Sequence, residues 1–161
     1  MKVAQSNKWQ RRLIRMAFQP ASWSKDTSSQ VGAVIVTPDG HPRSFGYNGL
    51  PRGVNDDVPE RHERPEKYLW FEHAERNAIY QGTDLQGCIM FVTHLPCPDC
   101  SRGIIQSGIR HVVVATMNGR LSPFATKRQK NTDVSLPMMK EAGIVYEEIV
   151  NDVELESING E

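Results

Sequence analysis

The sequence predicts an α/β domain in three layers, with helices on both faces of a mixed central sheet of about five strands. Three observations predict it. Apolar and β-branched runs recur as candidate strands at 31–37, 42–48, 88–94, 111–116 and 144–150. Helical patterns fall between the later runs, which is the order of crossover connections between parallel strands. Only Pro38, Asp39, Gly40 and one further residue separate the first two runs, so these form an antiparallel hairpin. Parallel and antiparallel pairs in one sheet make it mixed.

The elements follow in order. Residues 8–18 place Trp9, Leu13, Met16 and Ala17 at helical spacing, with Arg11, Arg12 and Arg15 on a solvated face. The hairpin comes next. Residues 50–70 hold Pro51, Pro59 and Pro65 among crowded charges and show no period, so they read as a long functional loop. FEHAERNAIY, 71–80, opens an apolar-faced helix. The third strand is 88–94, a short helix is 98–107, and the fourth strand is 111–116. TKRQK, 126–130, reads as a solvated loop, 136–143 as a late helix and 144–150 as the last strand. The acidic tail, about 151–161, is expected to fray.

The chain has 161 residues, enough for one domain spanning 1–161 with a sizeable core. Nineteen Lys and Arg balance nineteen Asp and Glu, which disfavours a long nucleic acid as partner. No apolar run is long enough to span a membrane, and the start lacks the apolar stretch of an export signal. Cytoplasmic location is the expectation. Three cysteines, Cys88, Cys97 and Cys100, then suggest metal or redox chemistry over a disulfide framework.

His73 and Glu75 stand two residues apart, about 200° around a helix, so they share no face. A common target must lie off the helix end. In THLPCPDC, 93–100, Pro98 suits the first helical position, which puts Cys97 at the cap and Cys100 three residues on, on the same side. Both thiols then meet the positive end of a helix, which favours thiolate and metal binding, and Asp99 suits that first turn. One imidazole and two sulfurs from two helix starts can hold a tetrahedral Zn²⁺ with one position open, the mark of a catalytic site. Glu75 is then free to serve a water there as a proton shuttle. His73 alone reads as a packing or surface histidine, and C-x-x-C alone reads equally as a redox pair. A closed structural zinc with His94 as fourth ligand is the alternative for the whole set. Cys88 reads as core; His41, His62 and His111 read as turn, loop and strand-edge residues.

H-x-E followed by P-C-x-x-C is the signature of zinc deaminases. Here it is His73-Ala74-Glu75 and Pro96-Cys97-Pro98-Asp99-Cys100. Over about residues 8–116 the chain resembles the cytidine deaminase superfamily and, more closely, deoxycytidylate deaminases of the bacterial and phage type. SKDTSSQVGAVIV, 24–36, and GYNGLPRGVNDD, 46–57, carry the closer resemblance. After residue 116 it weakens, and a tyrosine expected near the end of that strand is absent. The resemblance implies a cytidine deaminase-like fold, one catalytic Zn²⁺ held by His73, Cys97 and Cys100, and hydrolysis of dCMP to dUMP and ammonia with Glu75 as catalytic proton carrier. It also implies backbone contacts to the base at Ala33 and Ala74, Asn48 at the deoxyribose, and Ser24 with Lys25 at the 5′-phosphate. Activation by dCTP and inhibition by dTTP, each with Mg²⁺, would involve Asn48, Gly49, Arg52, Asp56, Asp57, Glu66 and Lys67. A homo-oligomer, commonly a hexamer, completes the expectation. Competing readings are a zinc deaminase of cytidine, guanine or tRNA adenosine, and a zinc-stabilised nucleotide sensor without chemistry. The neutral charge speaks against tRNA, and Glu75 speaks against the sensor.

Overall fold

The computed structural model describes residues 6–116 and 129–150. Its elements are α1 (Asn7–Ala21), β1 (Gly32–Val36), β2 (Pro42–Tyr47), a 3₁₀ turn (Pro59–His62), α2 (Lys67–Trp70), α3 (Ala74–Gln81), β3 (Ile89–Val92), α4 (Pro98–Gln106), β4 (His111–Thr116), α5 (Gln129–Glu141) and β5 (Val145–Val150). The five strands form one sheet in the order β2-β1-β3-β4-β5. β1 pairs antiparallel with β2 and with β3, whereas β3, β4 and β5 run parallel. The predicted mixed sheet is the observed one. No described helix is long and apolar enough to cross a membrane.

Side-chain alternation divides the core into two halves. Val34, Val36, Ile89, Phe91, Val113 and Ala115 meet Leu13, Ile14, Ala17 and Phe18 of α1. Ala33, Ile35, Met90, Val92, Val112 and Val114 point the other way, toward Ala74 and Ala78 of α3, Ile104 of α4 and Met139 of α5. Strands covered on both faces read as unbroken apolar runs, which is why β1, β3 and β4 stood out in the sequence.

Several expectations need correction. The buried stripe of α1 is Gln10, Leu13, Ile14, Ala17, Phe18 and Ala21, so Trp9 and Met16 lie on its margin, 36% and 44% exposed. Trp9 instead receives the Arg12 guanidinium over its ring at 5.1 Å. The long segment 50–70 is not structureless: it carries the 3₁₀ turn and α2. Helix α5 starts earlier than expected and carries Pro137 inside it, so Gln129 and Lys130 of the basic stretch are helical. The rest of that stretch, 126–128, and the tail 151–161 lie outside the described residues. His111 is buried within β4, where its Nε2 and Glu147 Oε2 are 3.0 Å apart.

Two glycines let the layers approach. A Cβ on Gly32 would strike the backbone of Ala17 and Ala21 in α1. One on Gly46 would strike the backbone of Ala74 and Ala78 in α3. The second contact sets the front of α3 against the edge strand.

Candidate metal centre and active site

Two helix starts converge at the C-terminal side of the sheet. His73 is the N-cap of α3, with φ −84° and ψ 152°. Cys97 is the N-cap of α4, with φ −73° and ψ 170°, and its sulfur accepts the Cys100 N–H at 3.5 Å. Pro98 follows at the first helical position, where no N–H is missed. The extended backbone at Cys97 turns its side chain back over the start of α4, whereas His73 makes no side-chain cap bond and its ring reaches across to the two sulfurs. His73 Nδ1 consequently lies 3.4 Å from Cys97 Sγ and 3.4 Å from Cys100 Sγ.

These spacings can be tested against an ion. Tetrahedral Zn²⁺ with Zn–S of about 2.3 Å and Zn–N of about 2.0–2.1 Å places N and S about 3.5 Å apart. The donors fit. All three ligand atoms lie within 4.8 Å of one another, and among the described residues no other group of three or more His, Cys, Asp or Glu does so. His94 is outside the cluster; its Nδ1 is 2.9 Å from the hydroxyl of Thr93.

The proton state of the set also suits a dication. The hydrogen bond from Cys100 and the nearby His73 lower the Cys97 thiol to about 4, against the pull of burial. Its bond to Cys97 and then burial push the Cys100 thiol far up. The bond to Cys97 raises His73, with burial opposing. A metal ion displaces these protons as it binds.

Glu75, 3% exposed in the first turn of α3, is held above the usual carboxylate range chiefly by burial, which the charge of His73 partly offsets. Arg76 clasps the two helix starts. Its Nε is 2.6 Å and its guanidinium 2.5 Å from Glu72 Oε1, and it reaches Asp99 of α4 at 3.8 Å. Burial works against the Arg76 charge, but Cys100 and Glu72 outweigh it and raise its pKa. Glu72 Oε1 also accepts the His73 N–H at 3.0 Å, and its Oε2 accepts the Tyr80 hydroxyl at 3.1 Å. Sequence reading passed over Glu72 and Arg76; Glu72 lies just before the cap of α3, so the pair spans the helix start rather than one helix face.

Residues 7–116 match the family described as the cytidine and deoxycytidylate deaminase zinc-binding region. The chain belongs to this family. A protein of Aliivibrio fischeri called an uncharacterized deaminase in the luxG 3′ region is 43% identical over 141 residues, covering 86% of this chain and 91% of that protein. Human deoxycytidylate deaminase is 42% identical over 112 residues, covering 65% of this chain and 63% of the human protein, so the match spans less than two thirds of that relative. The crystal structure of dCMP deaminase from the cyanophage S-TIM5 in complex with dCMP and dUMP has the same fold. Its TM-score is 0.71 at 24% identity, over 90% of this chain and 99% of that one. The family member described here is a hydrolytic deaminase.

The remaining sequence-predicted positions divide. Ser24 and Asn48 are buried together: the Ser24 hydroxyl donates to the Asn48 carbonyl at 2.8 Å. The Asn48 amide is engaged internally, accepting from Val31 N and donating to Ser29 O, both at 2.8 Å. Ala33 is buried in β1 opposite Gly46 and Val92. Ala74 is buried in the first turn of α3, where helical N–H groups have no partner within the helix. Lys25 is exposed and pairs with Asp56 at 2.6 Å. Gly49 and Arg52 line a groove of about 890 Å³ with Trp23, Arg43, Phe45 and Tyr47. Asp57 is exposed, and exposed Glu66 accepts from Trp70 Nε1 at 2.9 Å. Lys67 is not presented to solvent; it is 4% exposed and bonded to Asp26. The sequence reading missed that pairing.

Proposed function

We propose that this deaminase converts dCMP and water to dUMP and ammonia. The observation that carries deamination is the His73, Cys97 and Cys100 triangle beside the buried carboxyl of Glu75. The 42% identity to human deoxycytidylate deaminase supports dCMP as the substrate. His73 Nδ1 and the two sulfurs would hold Zn²⁺, which when bound supplies Lewis-acid activation of water.

Glu75 does the proton work. It takes a proton from the attacking water and delivers it to N3 of the base, then passes the second to the amino group as ammonia leaves. Burial suits it to this task, because a carboxyl held above its ordinary range is protonated more readily near neutral pH. The amides at Ala74 and Ala33 would hold the base edge, the region of Asn48 the deoxyribose, and Ser24 with Lys25 the 5′-phosphate. A phosphate at Lys25 would replace the Asp56 carboxylate now paired there.

The same reading treats 1–161 as one domain and includes control by dCTP and dTTP with Mg²⁺. The groove beside Gly49 and Arg52, rimmed by aromatic rings, supports a nucleotide there; Asp57 and Glu66 remain exposed for a cation, whereas Lys67 is already committed to Asp26. A homo-hexamer acting in the cytoplasm, or host cytoplasm, completes it. The test is ammonia release from dCMP, CMP, deoxycytidine, dCTP, guanine and a tRNA stem-loop, with dTTP and dCTP then titrated against the best substrate. Preference for dCMP is the expected result; turnover of guanine or tRNA adenosine instead would overturn it. Absence of any response to either nucleotide would remove the regulatory part alone.

A further inference from the structure

A buried ion pair connects two segments that the sequence keeps far apart. Lys67 Nζ donates to Asp26 Oδ1 at 3.0 Å, to Asp26 Oδ2 at 2.7 Å and to Ser28 Oγ at 2.6 Å. The two charged side chains are 5% and 6% exposed. Desolvating two charges is costly, and well-packed apolar residues commonly serve stability as well or better. A pair placed here therefore suggests a demand for geometry.

The surrounding bonds indicate what is being placed. Asp26 Oδ1 also accepts Ser28 N at 2.9 Å and Ser29 N at 3.3 Å, and Ser28 Oγ donates to it at 2.9 Å, which folds 26–29 into a turn. The Ser29 carbonyl accepts from the Asn48 amide at 2.8 Å, and that amide approaches Asp26 Oδ2 at 3.5 Å. Ser24 Oγ accepts the Asp26 N–H at 3.2 Å while donating to the Asn48 carbonyl. One residue on, Gly49 N donates to Glu72 O at 3.1 Å and Glu72 N to Gly49 O at 2.8 Å. Glu72 directly precedes His73. A continuous chain of bonds thus runs from Lys67 through Asp26 and Asn48 to the start of α3.

We infer that Asp26 and Lys67 are a positioning pair for substrate binding: they hold segment 24–31 against the loop 50–71, and so fix Ser24 and Asn48 relative to the front of α3. Neither residue touches the substrate. The inference rests on the reading above in placing the nucleotide's sugar and phosphate at Asn48 and Ser24.

The test uses the full chain and the double variant Asp26→Asn/Lys67→Met, which removes both charges while Asn keeps an acceptor for the turn. Amide hydrogen exchange, measured without substrate, is expected to speed up at least tenfold across 50–70 and to stay unchanged in 89–92 and 111–116. KM for dCMP is expected to rise at least tenfold with kcat within threefold. Wild-type exchange in the loop overturns the pairing's role as a latch; faster exchange with unchanged KM overturns its role in binding. Should the double variant fail to fold, Ser28→Ala, which removes one contact of Lys67 Nζ, is expected to raise KM about threefold and speed loop exchange. Wild-type values for it overturn the inference. Because exchange is read without nucleotide, its result stays separate from failure of dCMP to be a substrate.

Discussion

His73 Nδ1 lies 3.4 Å from the sulfur of Cys97, although the two residues cap different helices and stand 24 positions apart. Nothing local imposes that approach. It follows from β1 and β3 lying side by side, so that the segments leaving β2 and β3 arrive at one end of the sheet. The charge-bearing groups are then fastened by Arg76, which reaches Glu72 on one side and Asp99 on the other.

Cys97→Ser is expected to lose bound zinc and all measurable deamination while the sheet persists. Three ligands leave no reserve, and a hydroxyl replaces the softer thiolate poorly. Metal content by atomic emission, read beside far-ultraviolet circular dichroism, checks it; a zinc-replete, active variant would remove Cys97 from the ligand set.

Glu75→Gln should keep its zinc and lose about 10²–10⁴ in kcat, the range expected for general acid–base catalysis. The amide fits the same buried space but cannot exchange the proton. Steady-state kinetics on metal-verified protein decides the matter, and wild-type turnover would end the role assigned to Glu75.

Arg76→Met is expected to weaken zinc binding about tenfold, the usual scale for groups that support metal ligands from behind. It removes the charge facing the sulfurs and frees the first turn of α4 from α3. Chelator competition measures it without reference to activity. Equal affinity in the two proteins would show that the clasp does not matter to the ion.

Gly46→Ala is expected to cost about 1–3 kcal/mol, because its Cβ would meet backbone on α3 that cannot rotate aside. Urea midpoints measure the loss, and an unchanged midpoint would deny the close approach.

Asp26 gives a signed dependence on pH. Burial would raise its carboxyl, but hydrogen bonds from Lys67 and Ser28 prevail and hold it below the ordinary 3.8. A group with a lowered folded pKa adds stability that is present above the unfolded value and lost as pH falls through the folded one. Melting temperature should therefore drop as the solution is taken below about pH 4, and Asp26→Asn should flatten that limb. A parallel acid limb in the variant would show that Asp26 does not contribute.

Much of this was legible in the sequence for identifiable reasons. β1, β3 and β4 are buried on both faces, so their composition alone betrays them, and the zinc donors sit in two short motifs whose prolines and caps mark helix starts. The stripe of α1 was misplaced because Trp9 and Met16 are apolar by type yet lie at its margin, while Gln10 is buried through its bond to Glu147. Lys67 and Asp26 were beyond reach for a different reason. They are 41 positions apart, and a charged residue in a charged loop gives no local sign of burial.

The paired hydrogen bonds between Gly49 and Glu72 have a consequence for descent. They close the base of residues 50–71 like the neck of a bag, so additions or deletions within that excursion need not move the histidine that follows. New recognition surfaces could be tried there generation after generation while the chemistry beneath stays still.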